Sequence, residues 1–548
     1  MASVIRKIIK GNAYYYLIEN AWVNGKSKRV WQKYLGTAEN IKKVYERGGN
    51  PIIYSKVFGS VASMLSMAQE LGLKEIISNA VPDMNYKLKV WEHILMQSIC
   101  RFNGPASKKK SIKWYDESIL SLIWGRTFTS PQTIMNQFDK LVKKDANMIP
   151  KIEEGLCKAL ISKGITPSIF IWDPTNFFTH ISKGEELPRK GASKEKRYDK
   201  NIINLGMVVS DENIPILHTV YEGNKHETKV ITEVVDTLYS RFTELGFATE
   251  HLVIVFDRGN NSEDNIGHID EKFSFVGALK KTQVKHLFEI NLDKFEKLYE
   301  TESGNIISGY RTTETIYGKP YTVVVTYNER TAAKQREKTH TAIGKITEKF
   351  NALEKSVNMR KIGRKPTTKG IAMQVSAFFF SQYRSLFAWN FDEATQQFSW
   401  SRKEGAILDR EKTYGKNVLF TDMEEWGTEK IARIYNSKII VEDDFRVLKD
   451  RLLISVKPFY HRKDTRLRAH IFICILSMLL YRYMLWKLKL LNFSETQIVE
   501  GLKEMRVAFI KEDGSNAAKK VMERMTPVQM SLYAALNLGK YMEIKTAN

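Results

Sequence analysis

The spacing of hydrophobic and polar positions changes several times along the chain, and each change predicts a different kind of element. Residues 1–50 alternate apolar and polar positions on either side of Asn24-Gly25, as in YYYLIENAWVNGKSKRVWQKYLG. A period of two around an Asn-Gly pair predicts a small antiparallel hairpin, because that dipeptide accepts the left-handed backbone a tight turn needs. From Phe58 to about Leu160 apolar positions recur every three or four residues, as in VASMLSMAQELGLKEIISNAV and VWEHILMQSICRF. That spacing predicts a run of helices. Between two of them GPASKKKSIKW reads as a loop carrying Lys108, Lys109, Lys110 and Lys113. Such a loop is either solvated surface or a phosphate contact, since clustered lysines displace counterions from a nucleic-acid backbone.

At Pro167 the texture changes. SIFIWDPTNFF predicts a short strand ending in Asp173, and INLGMVVSDENIPILHTVYEG two strands joined at Asp211-Glu212-Asn213. A helix, KVITEVVDTLYSRFTELG, is followed by the continuous apolar run HLVIVF with Asp257 at its end, and FSFVGALK is a fifth strand. An unbroken apolar run is what a strand covered on both faces requires. Three antiparallel strands, a helix and a buried parallel strand predict an α/β fold, the first half of a ribonuclease-H-like core. The segment from about 285 to 425 interrupts it with strands in YTVVVTY, SLFAWNF and FSWSR and with a charged helix. In that helix Ile343, Ile346, Phe350, Leu353 and Val357 repeat at alternating spacings of three and four. A seam this short predicts an intramolecular helix hairpin rather than a dimer coil. GRKPTTKG then reads as a basic linker. Helices resume toward Leu491, including HIFICILSMLLYRYMLW, and the tail from about 500 reads as a helical cap.

Composition adds a partner. In 548 residues, 85 Lys and Arg against 62 Asp and Glu leave a net charge of +23. That excess suggests a polyanion, nucleic acid before a membrane surface. Cys100, Cys157 and Cys474 lie far apart with no metal-ligand spacing, which argues against structural zinc and against a disulfide framework. The N-terminal residues show no signal-peptide pattern, and the most apolar run, Ile471 to Tyr481, is about half of what a bilayer needs. A cytoplasmic protein without a membrane partner is expected.

The chemistry centres on IARIYNSKIIVEDDFRVLKDRLL, residues 431–453. Read as one helix, it places Tyr435, Lys438, Glu442 and Lys449 within an arc of roughly 60°. Ile434, Val441, Phe445, Leu448 and Leu452 form a second stripe roughly 80° away, which would dock the helix on a core. The charged face is either a solvated Glu/Lys surface or part of a site. Two strand-end aspartates, Asp173 and Asp257, weigh toward the site, because ligands of α/β sheets collect at strand ends. Two aspartates and a helix glutamate form a hard oxygen set suited to Mg²⁺ and phosphoryl transfer. Arg258 and Asn260 either contact phosphate or shape their turn, and Arg446 either pairs with Glu442 or touches DNA. His461 and His470 read as structural, and Trp389 and Trp400 as core residues of a small β-layer.

Tyr435, Lys438, Glu442 and Lys449 stand at the spacings of the signature Y-x2-R-x3-E-x6-K, with Lys where the signature has Arg. DPTNFF at Asp173, GASKEKRYD with Lys194 and Arg197, EGNKHE with Gly223 and Asn224, DRGNNSEDN at Asp257 and KPFYHRKDTRLRAHIFIC occur in order around it. On these motifs the chain resembles the DDE transposases of bacterial insertion sequences, over nearly its whole length. The resemblance implies Asp173, Asp257 and Glu442 as catalytic metal ligands for Mg²⁺, with Mn²⁺ as a substitute. It implies Tyr435, Lys438, Lys449, Arg446, Lys194, Arg197 and Arg258 as DNA-binding residues. The Lys at 438 keeps the charge but loses bidentate phosphate geometry. The implied reaction is cleavage at the element's terminal inverted repeats, then attack of the freed 3′-OH on target DNA, by a homodimer on double-stranded DNA. The alternatives are a ribonuclease-H-like nuclease without strand transfer and a catalytically inactive DNA-binding protein. The expected organisation is a basic β-hairpin region at 1–57 and a helical DNA-binding region at 58–164. A ribonuclease-H-like core follows at 165–285 and 426–492, split by a β-rich insertion at 286–425, and a helical C-terminal region lies at 493–548.

Overall fold

The computed structural model describes residues 2–23, 26–47, 52–81, 89–128, 130–359, 365–379, 381–459, 461–511 and 518–543. The predicted Asn24-Gly25 turn and the first two residues of GRKPTTKG lie outside the described residues. The chain forms two compact units of mixed α and β structure. One comprises Met1–Ile152, Leu448–Lys457 and Thr465–Asn548; the other comprises Glu153–Val447 and Pro458–Asp464.

In the first unit the N-terminal strands number three, Ala2–Ile9, Asn12–Val23 and Lys26–Gly36, paired in that order and antiparallel. Helices Gly59–Glu70 and Val90–Phe102 follow the predicted period and are buried along most of their length. Only the first four residues of GPASKKKSIKW form a loop. The rest belongs to the helix Lys108–Glu117, begun by Ser107, whose hydroxyl accepts from the Lys110 amide at 3.3 Å. A serine cap of this kind is worth about 1 kcal/mol. Lys108 is turned inward: its Nζ donates to Gln97 Oε1 at 2.8 Å and lies 4.6 Å from the centre of the Phe138 ring. Burial drives its pKa down to about 7. Its ammonium is therefore committed to the core, while Lys109, Lys110 and Lys113 are exposed.

The C-terminal tail also departs from the helical cap expected for 493–548. Arg506–Lys511 and Ala518–Met522 form a hairpin, and Ile52–Val57 joins it to make a three-stranded antiparallel sheet. Val507 and Phe509 are buried in it. The alternation in RVAFIK is a weak signal until its partner strand, from the other end of the chain, covers it. The helix Asp464–Leu488 is longer than its apolar run suggested. It is long and apolar enough to cross a bilayer, but 83% of its apolar window is buried inside the protein, as in a core helix. All three cysteines are buried and free.

The second unit is built on one sheet of nine strands. Their order is Glu296–Glu300, Ile306–Ile316, Lys319–Asn328, Lys416–Thr421, Ser274–Ala278, Val253–Val255, Ile169–Thr179, Asn201–Ser210 and Pro215–Glu222. The last three pair antiparallel, and Val253–Val255 is parallel to both of its neighbours. Four of the nine strands come from the segment expected to form a separate β-rich insertion. Instead they extend the central sheet, because Ser274–Ala278 is wholly buried and its free edge needs a partner. Lys416–Thr421 supplies that partner, burying Val418, Leu419 and Phe420, and Val323–Val325 bury beside them.

Only the stretch from Glu329 to Glu411 stands aside, with a core of its own around Phe350. The seam residues Ile343, Ile346, Phe350, Leu353 and Val357 are buried, but not in a helix hairpin. They pack with the two-stranded sheet Phe387–Asp392/Gln397–Arg402 and the helix Thr368–Ser376. Trp389 and Trp400 are register partners there. Trp400 stacks on Phe350 at 5.1 Å and donates its Nε1–H to Glu354 at 3.2 Å. Both tryptophans pack against this small core.

Candidate active site

The sheet register places two aspartates side by side. Ile171 and Val255 are partners on adjacent parallel strands, and Asp173 and Asp257 each follow two residues later. Two residues along a strand return the side chain to the same face, and neighbouring strands lie about 4.8 Å apart. Asp173 does not end its strand as expected. The strand continues to Thr179 because Asn201–Ser210 goes on pairing with it, opposite Met207 at Asp173. Val253–Val255 stops earlier, so the sheet opens on one side of Asp173. Asp257 begins a turn, its carboxylate accepting from the Arg258 amide at 2.8 Å.

The stretch 431–453 is two helices, Thr428–Asn436 and Ile439–Lys449. The break has a local cause. The Ser437 hydroxyl donates to the Ile434 carbonyl at 2.6 Å, and the Ser437 and Lys438 amides make tightened turns to Ile434 and Tyr435. Ile434, Val441, Phe445 and Leu448 are buried as the apolar stripe predicted, but Leu452, beyond the second helix, is 81% exposed. Tyr435 and Lys438 meet at the break and reach the sheet together. The Tyr435 hydroxyl donates to Asp257 Oδ1 at 3.0 Å, and Lys438 Nζ donates to the Tyr435 oxygen at 3.0 Å and stands 3.1 Å from Asp257 Oδ1. Glu442 is exposed one turn further on.

The charges divide the two aspartates. Burial alone would push Asp257 up, but Lys438, the Arg258 amide and the Tyr435 hydroxyl outweigh it and hold its carboxyl below the usual range. Burial raises Asp173 to about 6; Lys194 and Lys438 pull it back, while Asp257 and Glu442 push it further. Lys194 is fixed beside it, Nζ to the Pro174 carbonyl at 2.5 Å. Among the described residues no three His, Cys, Asp or Glu side chains are gathered closely enough to hold a metal ion. Asp173 thus feels the charges of Asp257 and Glu442 although the three form no closed ligand cage, and the Lys438 ammonium stands against the Asp257 carboxylate.

A carboxylate raised above its unfolded value of 3.8 binds a proton more tightly when folded. The contribution of Asp173 to stability should thus fall as pH rises from about 4 through about 6 and remain a penalty above that. Asp173→Asn removes the penalty. In metal-free buffer the variant should melt higher than wild type at pH 7.5, with the difference vanishing near pH 4. A melting temperature unchanged or lowered at pH 7.5 would contradict this.

The remaining predicted residues are scattered. Arg446 pairs with Asp443 at 2.6 Å rather than with Glu442, and its side chain is otherwise exposed. Arg197 forms a two-point pair with Asp199 at 3.0 Å and lies over the Phe178 ring. Arg258 is exposed beside Asp257. Lys449, half-buried at the end of its helix, belongs to the first unit. His470 is buried and bonded through Nε2 to the Val456 carbonyl, a structural role.

Three groups near the aspartates escaped the sequence reading. Glu227 closes the EGNKHE motif, and a Cβ on Gly259 would fall 1.9 Å from its Oε1, so only glycine allows this approach to the Asp257 turn. Asn265 ties the two turns together, donating to the Thr228 carbonyl at 3.1 Å and the Asn260 carbonyl at 3.0 Å. Tyr221 is buried between Glu227 and Asp173, and burial with both charges raises its phenol pKa. The signal was the last letter of a motif noticed for its glycine and asparagine.

A comparison with curated proteins found no match. A comparison with protein families matched residues 165–480 to the transposase DDE domain. That span holds Asp173, Asp257 and Glu442 in order and covers more than half of the chain, which therefore belongs to the transposase DDE-domain family.

Proposed function

We propose that the protein is a cut-and-paste transposase that cleaves DNA at the terminal inverted repeats of an insertion sequence and joins the freed 3′-OH ends to target DNA. The observation that carries this reading is the pairing of Ile171 with Val255 on adjacent parallel strands, each two residues before an aspartate, with Lys438 against Asp257 and Lys194 beside Asp173. Antiparallel strands, a helix and parallel strands, then a helix bearing Glu442, are the order of a ribonuclease-H-like core. Asp173, Asp257 and Glu442 are a hard oxygen donor set, and they would hold Mg²⁺ or Mn²⁺. When bound, two such ions supply activation of the attacking oxygen and stabilisation of the leaving one.

The chain's own residues do the rest. Lys438 neutralises Asp257 in the free protein, and the short link through Tyr435 keeps its ammonium within reach of a backbone phosphate. Lys194, Arg258 and Arg446 would add phosphate contacts around the carboxylates, and Arg197 and Lys449 would contact DNA as well. Each strand-transfer step forms one phosphodiester to the 3′-OH and releases one 3′-OH in the target. No covalent bond to the protein is needed. Joining two ends calls for a homodimer on DNA, acting in the cytoplasm of a prokaryotic cell.

The test is a duplex carrying the element's own end, supplied with Mg²⁺ and a target plasmid. Cleavage at the end and joined products are expected. Cleavage without joining would reduce the protein to a nuclease, and binding without cleavage to a DNA-binding protein.

A further inference from the structure

The EGNKHE and GASKEKRYD motifs meet at a second place that the carboxylate site leaves unused. A cavity of about 380 Å³ opens in the second unit, lined by Ser182, Lys183, Arg189, Lys190, Asn201 and Asn224. The three cations in it have no carboxylate partner among the described residues. Arg189 Nη1 donates to the Glu185 carbonyl at 2.9 Å and the Pro188 carbonyl at 3.1 Å, and Lys190 Nζ donates to the Asp199 carbonyl at 2.6 Å. Main-chain carbonyls fix the direction of these side chains and leave their charges uncompensated. Serine and asparagine side chains supply the neutral polar part of the lining.

The walls are built in advance. Arg189 and Ile202 exchange both main-chain hydrogen bonds, and the Gly223 amide donates to the Leu187 carbonyl at 3.1 Å. The Asp464 carboxylate accepts from the Glu186 and Leu187 amides at 2.9 and 3.1 Å, clamping the far side of the loop. A Cβ on Gly191 would fall 2.1 Å from the Gly223 carbonyl oxygen, and one on Gly223 would fall 2.3 Å from the Ile202 oxygen. Both glycines are therefore required where the loop crosses the end of the sheet, and Asn224 follows directly into the cavity.

We infer that this cavity is a binding site for a backbone phosphate of the DNA substrate, separate from the carboxylate site. The inference rests on the transposase reading. An open pocket lined by three cations that have no carboxylate partner among the described residues suits a phosphodiester. The loop that carries Lys190 reaches Lys194, beside Asp173, four residues later, a span of at most about 14 Å. That is about four steps along a duplex at 3.4 Å each. The pocket would hold the same DNA a few nucleotides from the bond being cut.

The test measures binding of the element-end duplex in EDTA as a function of salt, so that cleavage plays no part. The double variant Lys183→Gln/Lys190→Gln should lower the magnitude of the slope of log affinity against log salt by about one, matching the single phosphate the pocket holds. The control pair Lys163→Gln/Lys345→Gln, exposed lysines elsewhere in the unit, should leave the slope unchanged. Asn224→Asp, which puts a negative charge in the cavity without removing a loop contact, should weaken binding with the melting temperature kept. An unchanged slope with the wild type still binding overturns the pocket alone, as does an equal loss in the control pair. No DNA binding by the wild type overturns the transposase reading, and the pocket with it.

Discussion

Replacing Glu442 with Gln should abolish cleavage of a duplex carrying the element's end, lowering the rate by at least about 10³-fold. DNA binding and thermal stability should stay as they are. Glu442 is exposed and takes no part in the contacts between Tyr435, Lys438 and Asp257. Exposed substitutions of similar shape shift stability by no more than about 0.5 kcal/mol. Gln keeps the shape and loses the charge that a hard cation needs. Removing one negative charge also does nothing to repel a polyanion, so affinity for the duplex should hold or rise slightly. Gel-based cleavage with Mg²⁺, a melting curve and a binding isotherm on the same preparation check all three. Equal cleavage by both proteins would remove Glu442 from the site. Glu227, packed on the Asp257 turn, would then be the next carboxylate to replace.

The largest stability effect is expected far from that chemistry, at Glu153. Its Oε1 accepts from the His218 amide at 3.1 Å and meets His218 Nδ1 at 2.6 Å, while Oε2 stands 3.6 Å from Arg241 Nη2. All three residues are buried, and together they pin the helix Ile149–Ser162 to the Pro215–Glu222 strand and the helix Ile231–Glu244. Glu153→Ala leaves the Arg241 guanidinium buried without this carboxylate, a change that costs about 3–5 kcal/mol. For a unit of this size the melting temperature should fall by on the order of 10 °C. Glu153→Leu combined with Arg241→Met removes both charges together and should recover part of the loss, because the desolvation of the pair disappears with it. A drop of under about 2 °C in the alanine variant would show that the cluster is not holding these elements together.

The family was legible in the sequence because its marks are local. Spacings such as Tyr435 to Lys438 to Glu442, and short motifs around Asp173 and Asp257, survive without any knowledge of partners. The apolar stripe Ile434, Val441, Phe445 and Leu448 was equally legible, since periodicity reports burial directly. The helix break between them was not. Asn436 and Ser437 are poor helix formers, but the interruption depends on a hydroxyl bonding back to Ile434, which a count of offsets does not register. The carboxylate partner of Arg446 was not legible for a related reason: Glu442 and Asp443 are both within one turn of it, and rotamer geometry chose Asp443.

What the amino-acid sequence by itself determined was the mixed α/β character, the order of the elements around the two aspartates and the family. These follow from period, turn chemistry and motif spacing, all properties of neighbouring residues. The tertiary structure alone decided which strand lies beside which. It set Ile171 against Val255 and so brought the Asp257 turn alongside the strand that carries Asp173. It drew Lys416–Thr421 onto the buried edge of Ser274–Ala278, turning an expected insertion into an extension of the sheet. It paired Arg506–Lys511 with Ile52–Val57 across nearly the whole chain, and it buried Lys108 against Gln97 and Phe138. Strand pairing and the burial of a charge are settled by partners distant in sequence, through backbone groups every residue shares, so no local pattern carries them.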